Sequence, residues 1–152
     1  HKGHRVLVDA MPLAPGVAVV ILGDGPLRPA LWRRAQRLGV ADRLFLPGWR
    51  PDVPRWLRSV DTFAHPSLEE GLGQAVIEAD LAGLPVVASR AGGLPELGVG
   101  VLVPPGDRVA LAVALREALA RPASAASEGS PARFTIAAMV AGTARAYARW
   151  AR

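Results

Sequence analysis

A chain of 152 residues, 51% hydrophobic and 20% charged, has the composition of one folded globular domain, which excludes a disordered chain. The absence of cysteine excludes disulfides and thiolate metal sites. The net charge of +5 comes almost entirely from scattered arginines, a pattern typical of a solvated surface and not of a nucleic-acid interface. No apolar stretch approaches the ~20 residues that cross a bilayer.

The first half of the chain alternates short apolar runs with amphipathic segments. In chain order the predicted elements are a helix over 5–14 disturbed by Pro12, a strand over 17–22, a turn over 23–26, a helix ending at about residue 38, a strand over 43–46, a loop over 47–51 and a helix over 52–58. Gly39 is expected to end the second helix, and Asp52 is expected to cap the third.

The second half continues the alternation. The predicted elements are a strand over 62–65, a helix over 74–82, a strand over 86–89, a loop over 91–96, a strand over 101–103, a helix capped by Asp107 that runs to about residue 120, a linker over 122–131 and a helix over 134–150. This order predicts an α/β fold, a Rossmann-like open parallel sheet with helices on both faces. The loops that follow the strands should then line one cleft at the carboxyl edge of the sheet.

Two glutamates with seven residues between them mark the chemistry of this cleft. Glu70 precedes the glycine turn at 71–73, and Glu78 lies inside the following helix, one turn after Gln74. A glycine turn before a helix suits phosphate, and carboxylates can accept hydrogen bonds from sugar hydroxyls. The pattern therefore predicts a nucleotide-sugar site. The alternative places both glutamates in solvent, but Glu78 is embedded in an apolar run, where a buried lone carboxylate would be costly.

Several motifs in this order resemble those of retaining family-4 glycosyltransferases, the glycosyl transferases group 1 family, which has the GT-B fold. They are the Lys2-Gly3 start, the turn at 22–26, Pro66-Ser67, the Glu70–Glu78 pair as an E-x7-E motif, the run at 83–89, the loop at 92–96 and the segment at 102–107. Leu72 stands where phenylalanine is common, and Gln74 stands where an aliphatic residue is usual. The resemblance covers nearly the whole chain.

The resemblance implies a role for each of these residues. Glu70 would be the catalytic carboxylate that holds hydroxyls of the donor sugar, and Glu78 would bind the ribose. The donor sugar and the phosphates would contact Lys2, Gly71, Leu72, Gly73, Gln74, Gly92 and Gly93. The nucleotide base would contact Gly23, Trp49, Arg50 and Pro51.

The resemblance also implies the organisation of a longer enzyme. Residues 1–133 would be the donor-binding C-terminal domain of a hexosyltransferase-like enzyme, and the helix over 134–152 would pack towards an N-terminal acceptor domain. The co-substrate would be a UDP- or GDP-sugar, with no metal, no cofactor and no nucleic-acid partner, and this fragment alone would be inactive. The expected location is the cytoplasm, and peripheral association of the full-length enzyme with a membrane stays open.

Other interpretations of single residues remain beside this one. The chain could be a non-catalytic nucleotide or nucleotide-sugar binding module, since half a site can bind without turnover. A dinucleotide-dependent oxidoreductase is disfavoured because Arg28 occupies the sixth position of the required glycine fingerprint. Trp49 suits packing as well as stacking on a base, and Lys2 alone would be a flexible terminal residue. His65 at a strand end is expected to be structural.

Overall fold

The structure, a computed structural model, describes residues 1–120, in which helices and strands alternate. The elements are α1 His4–Ala10, β1 Val19–Leu22, α2 Arg28–Arg37, β2 Leu44–Gly48, α3 Val53–Leu57, β3 Phe63–His65, α4 Gln74–Leu81, β4 Val86–Ser89, α5 Leu94–Leu97, β5 Val101–Val103 and α6 Arg108–Ala120. Short 3-10 helices cover Met11–Leu13 and Ala41–Arg43. The predicted linker over 122–131 and the predicted helix over 134–150 lie outside the described residues.

Within residues 1–120 all strand pairs are parallel, as predicted, but the strands form two hydrogen-bonded groups. In the first group β1 pairs with β2, and Val19 lies opposite Leu44. In the second group the order is β3-β4-β5, and β4 pairs with β3 on one side and β5 on the other. Each connection within a group contains a helix, which is how parallel neighbours must be joined.

Helices cover both faces of the strands, which confirms the predicted layers. Strand β4 shows this directly, because all four of its residues are buried. Val87 packs into one apolar cluster with α1, α2, α6 and β1. Val86 and Ala88 point the opposite way and pack with residues of α3, α4 and α5. A continuous apolar strand is expected where both faces are covered.

Three local expectations were wrong. Pro12 does not merely disturb the first helix, because α1 ends at Ala10 and the proline falls in a 3-10 turn, where its missing N–H costs no α-helical bond. The expected loop over 91–96 contains the start of α5, with Pro95 in its first turn. Asp52 stands at the cap position of α3, but its side chain makes no capping hydrogen bond.

Asp107 does cap α6, and this gives a stability prediction with an internal control. Its Oδ1 atom accepts hydrogen bonds from the N–H groups of Val109 at 2.9 Å and Ala110 at 3.0 Å. Asp107→Ala is expected to lower the free energy of unfolding by about 1 kcal/mol in urea denaturation. Asp52→Ala, which removes a cap residue without a capping bond, should change it by less. Equal losses in the two variants would contradict the assignment.

Candidate active site at the carboxyl edge

The loop after β3 carries a compact polar cluster centred on Glu70. Its Oε2 atom accepts a hydrogen bond from Lys2 Nζ at 2.9 Å and lies 2.6 Å from His65 Nε2. Ser67 Oγ donates to the same oxygen at 3.2 Å and lies 3.1 Å from His65 Nε2. The Glu70 side chain is only 11% exposed, whereas that of Lys2 is 60% exposed. The cluster therefore fixes a carboxylate inside and presents a lysine ammonium outside.

The electrostatics of the cluster favour the charged carboxylate. The hydrogen bond from Lys2 is the main reason that the pKa of Glu70 falls from 4.5 to about 2, and the hydrogen bond with His65 lowers it further against the opposing effect of burial. His4, at the start of α1, has a lowered pKa because of its burial and the nearby charge of His65. Glu70 is thus an anion at neutral pH.

Glu70 still has capacity for a ligand. Its Oε1 atom accepts one hydrogen bond within residues 1–120, from the backbone N–H of Gly71 at 3.2 Å. A carboxylate oxygen has about two acceptor positions, so Oε1 can accept one further donor such as a hydroxyl. The other oxygen, Oε2, is already contacted by Lys2, His65 and Ser67.

The loop after β4 packs directly on the loop after β3. The Gly93 N–H donates to the carbonyl oxygen of Glu70 at 3.4 Å. A Cβ atom at Gly92 would overlap that carbonyl group, and one at Gly93 would overlap the carbonyl oxygen of Gly71. Glycine is therefore required at both positions for the two loops to approach. This places Gly92 and Gly93 beside Glu70, as the predicted site requires.

The loops after β1 and β2 form a second joined pair. The Gly23 N–H donates to the carbonyl oxygen of Gly48 at 2.9 Å, and the Trp49 N–H donates to Asp24 Oδ2 at 3.0 Å. The Trp49 side chain is 67% exposed, so its ring is not a core residue. Asp24 was not among the predicted site residues, although it stands between two predicted turn glycines. Arg50 and Pro51 are exposed next to Trp49.

Glu78 lies on the exposed side of α4, so the expectation that it is embedded among apolar groups was wrong. Gln74, one turn earlier, is exposed as well, and so is Leu72 in the glycine turn. The apolar neighbours Val76 and Ala79 point into the core instead. The buried carboxylate of this helix is Asp80. Since Glu78 carries no burial cost, its position gives no argument for function by itself.

The sequence identified most of these residues separately, but it did not predict that Lys2, His65 and Ser67 contact Glu70 in one cluster. Ser67 and His65 were not assigned to the site, and the expectation that His65 is structural agrees with its buried position against Glu70. Residues 1–120 contain no group of three or more histidine, aspartate or glutamate side chains placed to hold a metal ion. Among the same residues, no helix has both the length and the apolar character needed to cross a membrane.

Comparison with known proteins decides the family. The sequence profile of the family described as glycosyl transferases group 1 matches residues 1–121. The chain belongs to this family. It is 35% identical over 123 residues to the lipopolysaccharide core biosynthesis glycosyltransferase LpsE of Rhizobium meliloti, which covers 78% of the chain and 36% of the relative.

A second relative is a GDP-mannose-dependent alpha-(1-6)-phosphatidylinositol monomannoside mannosyltransferase of Mycolicibacterium smegmatis. It is 35% identical over 149 residues, which covers 87% of this group 1 chain and 39% of the relative. The chain therefore spans little more than a third of the length of these curated relatives.

Solved structures confirm the α/β fold. The Anabaena protein Alr3699/HepE in complex with UDP and glucose superposes with a TM-score of 0.84 at 32% identity, which covers 97% of this chain and 45% of that one. Its complex with UDP-glucose superposes with a TM-score of 0.81. Sucrose-phosphate synthase from Thermosynechococcus elongatus gives a TM-score of 0.83 at 28% identity, which covers 98% of this chain and 42% of that one.

Proposed function

We propose that this chain is the donor-binding domain of a retaining glycosyltransferase that transfers a sugar from a nucleotide-diphosphate sugar. The observation that carries the proposal is the cluster of Lys2, His65 and Ser67 around Glu70, at the carboxyl edge of β3. Open α/β folds bind their ligands at this edge. The site combines an exposed cation for phosphate with an ionised carboxylate for sugar hydroxyls.

The proposed reaction uses these groups in fixed roles. The Lys2 ammonium and the N–H groups of the turn at 71–73 would stabilise the negative charge that develops on the leaving diphosphate. The remaining acceptor position on Glu70 Oε1 would hold a hydroxyl of the donor sugar. The loop pair at 92–93 would close one side of the sugar pocket. Fixed donors and charges act without reorganisation during the reaction, which is why positioning favours catalysis.

The nucleoside would contact two further groups of predicted residues, one for the ribose and one for the base. The exposed Glu78 carboxylate would accept hydrogen bonds from the ribose hydroxyls, with Gln74 one turn nearer the phosphates. The exposed Trp49 ring, held through its backbone by Asp24, would contact the base together with Gly23, Arg50 and Pro51. Stacking on an aromatic face tolerates different bases. This matches the mixed donors of the relatives, which include UDP-glucose for the Anabaena structure and GDP-mannose for the mycobacterial enzyme.

The rest of the longer enzyme would supply the acceptor site, which this domain does not contain. An N-terminal domain would bind the acceptor, the segment over 134–152 would pack towards it, and the isolated chain would bind donor without transferring it. We propose a cytoplasmic enzyme of the E-x7-E family 4, with peripheral membrane association where the acceptor is a lipid. A purely binding role without catalysis is the second candidate, and it predicts no transfer in the complete enzyme.

The test of the nucleoside position is a calorimetric titration with UDP, GDP and ADP. One nucleotide is expected to bind, and Glu78→Ala is expected to weaken its binding by at least about tenfold, because a charged hydrogen bond to the ribose contributes about 1.5–3 kcal/mol. Glu117→Ala, which removes an exposed glutamate from α6, serves as the matched control and should bind like the parent chain. Equal affinity of the Glu78 variant and the parent would refute the ribose role.

A further inference from the structure

Two buried polar side chains beside Glu70 take no direct part in the proposed reaction. His65 ends β3 and is 8% exposed, and Ser67, in the loop that follows, is 0% exposed. Little of either side chain is left for a ligand, yet each directs a polar atom at the carboxylate of Glu70. Burying a polar group is costly unless it is hydrogen-bonded, so the contact with Glu70 offsets the cost of burying both residues.

The protons of this cluster can be assigned from its hydrogen bonds. An ionised carboxylate only accepts, so the 2.6 Å contact requires a proton on His65 Nε2. A ring nitrogen that carries a proton cannot accept a hydrogen bond from Ser67, so the Ser67 hydroxyl donates to Glu70 Oε2 at 3.2 Å. The ring of Phe63 stacks on the imidazole with its centroid 6.0 Å away, which helps to fix the plane in which His65 donates. Both buried side chains therefore donate to the same oxygen.

The two oxygens of the Glu70 carboxylate differ in how fully they are occupied. A carboxylate oxygen has about two acceptor positions, and Lys2 Nζ contacts Oε2 at 2.9 Å in addition to the two buried donors. Lys2 is the exposed member, so it can turn to a bound phosphate while His65 and Ser67 continue to hold the carboxylate. Oε1 accepts only the N–H of Gly71 within residues 1–120 and keeps a position for a ligand.

We propose that His65 and Ser67 are positioning residues that hold Glu70 through Oε2, so that Oε1 is presented to a hydroxyl of the donor sugar. A glutamate side chain has several rotatable bonds, and fixing it before the ligand binds removes the entropy cost of ordering it on binding. The inference rests on the proposed function, because it concerns the same donor site. It gives the two buried residues a role in recognising the sugar and none in binding the nucleoside or the phosphates.

The test compares sugar nucleotides with the matching nucleotides on the 152-residue chain. Calorimetry measures the affinities for UDP, UDP-glucose, GDP and GDP-mannose, since these two sugar nucleotides are named for two relatives. Nucleoside and phosphate contacts cancel in the ratio of sugar-nucleotide affinity to nucleotide affinity, so this ratio reports the contact with the sugar. His65→Leu is expected to lower the ratio at least about tenfold, because a misplaced Oε1 loses a charged hydrogen bond. Ser67→Ala should lower it as well, and nucleotide affinity should stay unchanged in both variants.

Two further variants separate positioning from a general loss of structure. Thr62→Val removes a hydrogen bond next to the other end of β3, where Thr62 Oγ1 donates to the Pro85 carbonyl oxygen at 2.9 Å, and should leave the ratio unchanged. His65→Gln keeps an N–H donor at this position and should restore the ratio to the parent value. An equal loss in Thr62→Val and His65→Leu, or no recovery in His65→Gln, would overturn the inference, because His65 would then only support the fold.

A measurement without ligand distinguishes failure of this inference from failure of the proposed function. In nuclear magnetic resonance titration the pKa of Glu70 is expected to rise from about 2 in His65→Leu, since the hydrogen bond with His65 lowers it, and to keep its value in Thr62→Val. A pKa that is the same in His65→Leu and in the parent would overturn the inference even where the parent binds a sugar nucleotide. If the parent binds none of the four ligands, the proposed function is refuted, and the role toward a sugar fails with it. Should His65→Leu fail to fold, Ser67→Ala, which removes only a hydroxyl, provides the comparison of ratios.

Discussion

Replacing Gly92 with alanine is expected to lower the free energy of unfolding by about 3 kcal/mol, because two costs coincide at this position. The residue has φ 51°, in the left-handed region that a side chain disfavours. The added Cβ would also overlap the backbone carbonyl of Glu70, which cannot move aside as a flexible side chain could. Relief requires the loop after β4 to separate from the loop after β3. Urea denaturation monitored by circular dichroism measures the loss.

Two further glycines separate these costs. Gly16 has φ 84° with no atom within 4 Å of an added Cβ, so Gly16→Ala should show only the backbone cost of about 1–2 kcal/mol. Gly25 has neither a positive φ nor a close neighbour, and Gly25→Ala should change stability by less than about 0.5 kcal/mol. If the Gly92 and Gly16 variants lose the same stability, the packing of the two loops is not what requires glycine at 92.

The order of the helices and strands could be predicted because each element depends on residues that are close together in the sequence. Strand β4 has the predicted bounds because a run of four apolar or small residues between Pro85 and Arg90 suits a fully buried strand. The cap at Asp107 could be predicted for the same reason. The aspartate accepts hydrogen bonds from N–H groups two and three residues later, so the whole motif lies within four consecutive residues. Asp52 shows the limit of that signal, because the same residue type at a helix start makes no such bond.

The contacts within the site could not be predicted in the same way. Lys2 and Glu70 are far apart in sequence, and their ion pair depends on how α1 starts against the loop after β3. The exposure of Glu78 differs from the expectation because its apolar neighbours in sequence are not its neighbours in space. On a helix, adjacent residues point in different directions, so the neighbours of Glu78 are buried while it is not. The division into two sheets could not be predicted either, because strand pairing joins segments that are distant in the chain and no local pattern marks it.

Removing the charge of Lys2 is expected to change both the pKa of Glu70 and the affinity for a nucleoside diphosphate. Lys2→Met removes the main cause of the low pKa of Glu70, so this pKa should rise from about 2 towards the ordinary 4.5. Loss of the exposed ammonium should also weaken binding of the preferred nucleoside diphosphate about 30-fold, since a charged hydrogen bond to phosphate contributes about 1.5–3 kcal/mol. Nuclear magnetic resonance titration of the Glu70 carboxyl and calorimetry measure the two effects.

The sign of the pH dependence follows from the direction of the shift. Because the pKa of Glu70 is lower in the folded chain, its stabilisation is complete above pH 4.5 and disappears as the pH falls towards 2. The parent chain should therefore lose more stability across this window than Lys2→Met does. Arg5→Met makes the same change of charge at an exposed site on α1 and should leave both the Glu70 titration and nucleotide affinity unchanged. If the pKa of Glu70 is the same in Lys2→Met as in the parent chain, His65 and Ser67 alone stabilise the carboxylate. If that pKa rises but nucleotide affinity is unchanged, Lys2 pairs with Glu70 but does not bind the phosphates.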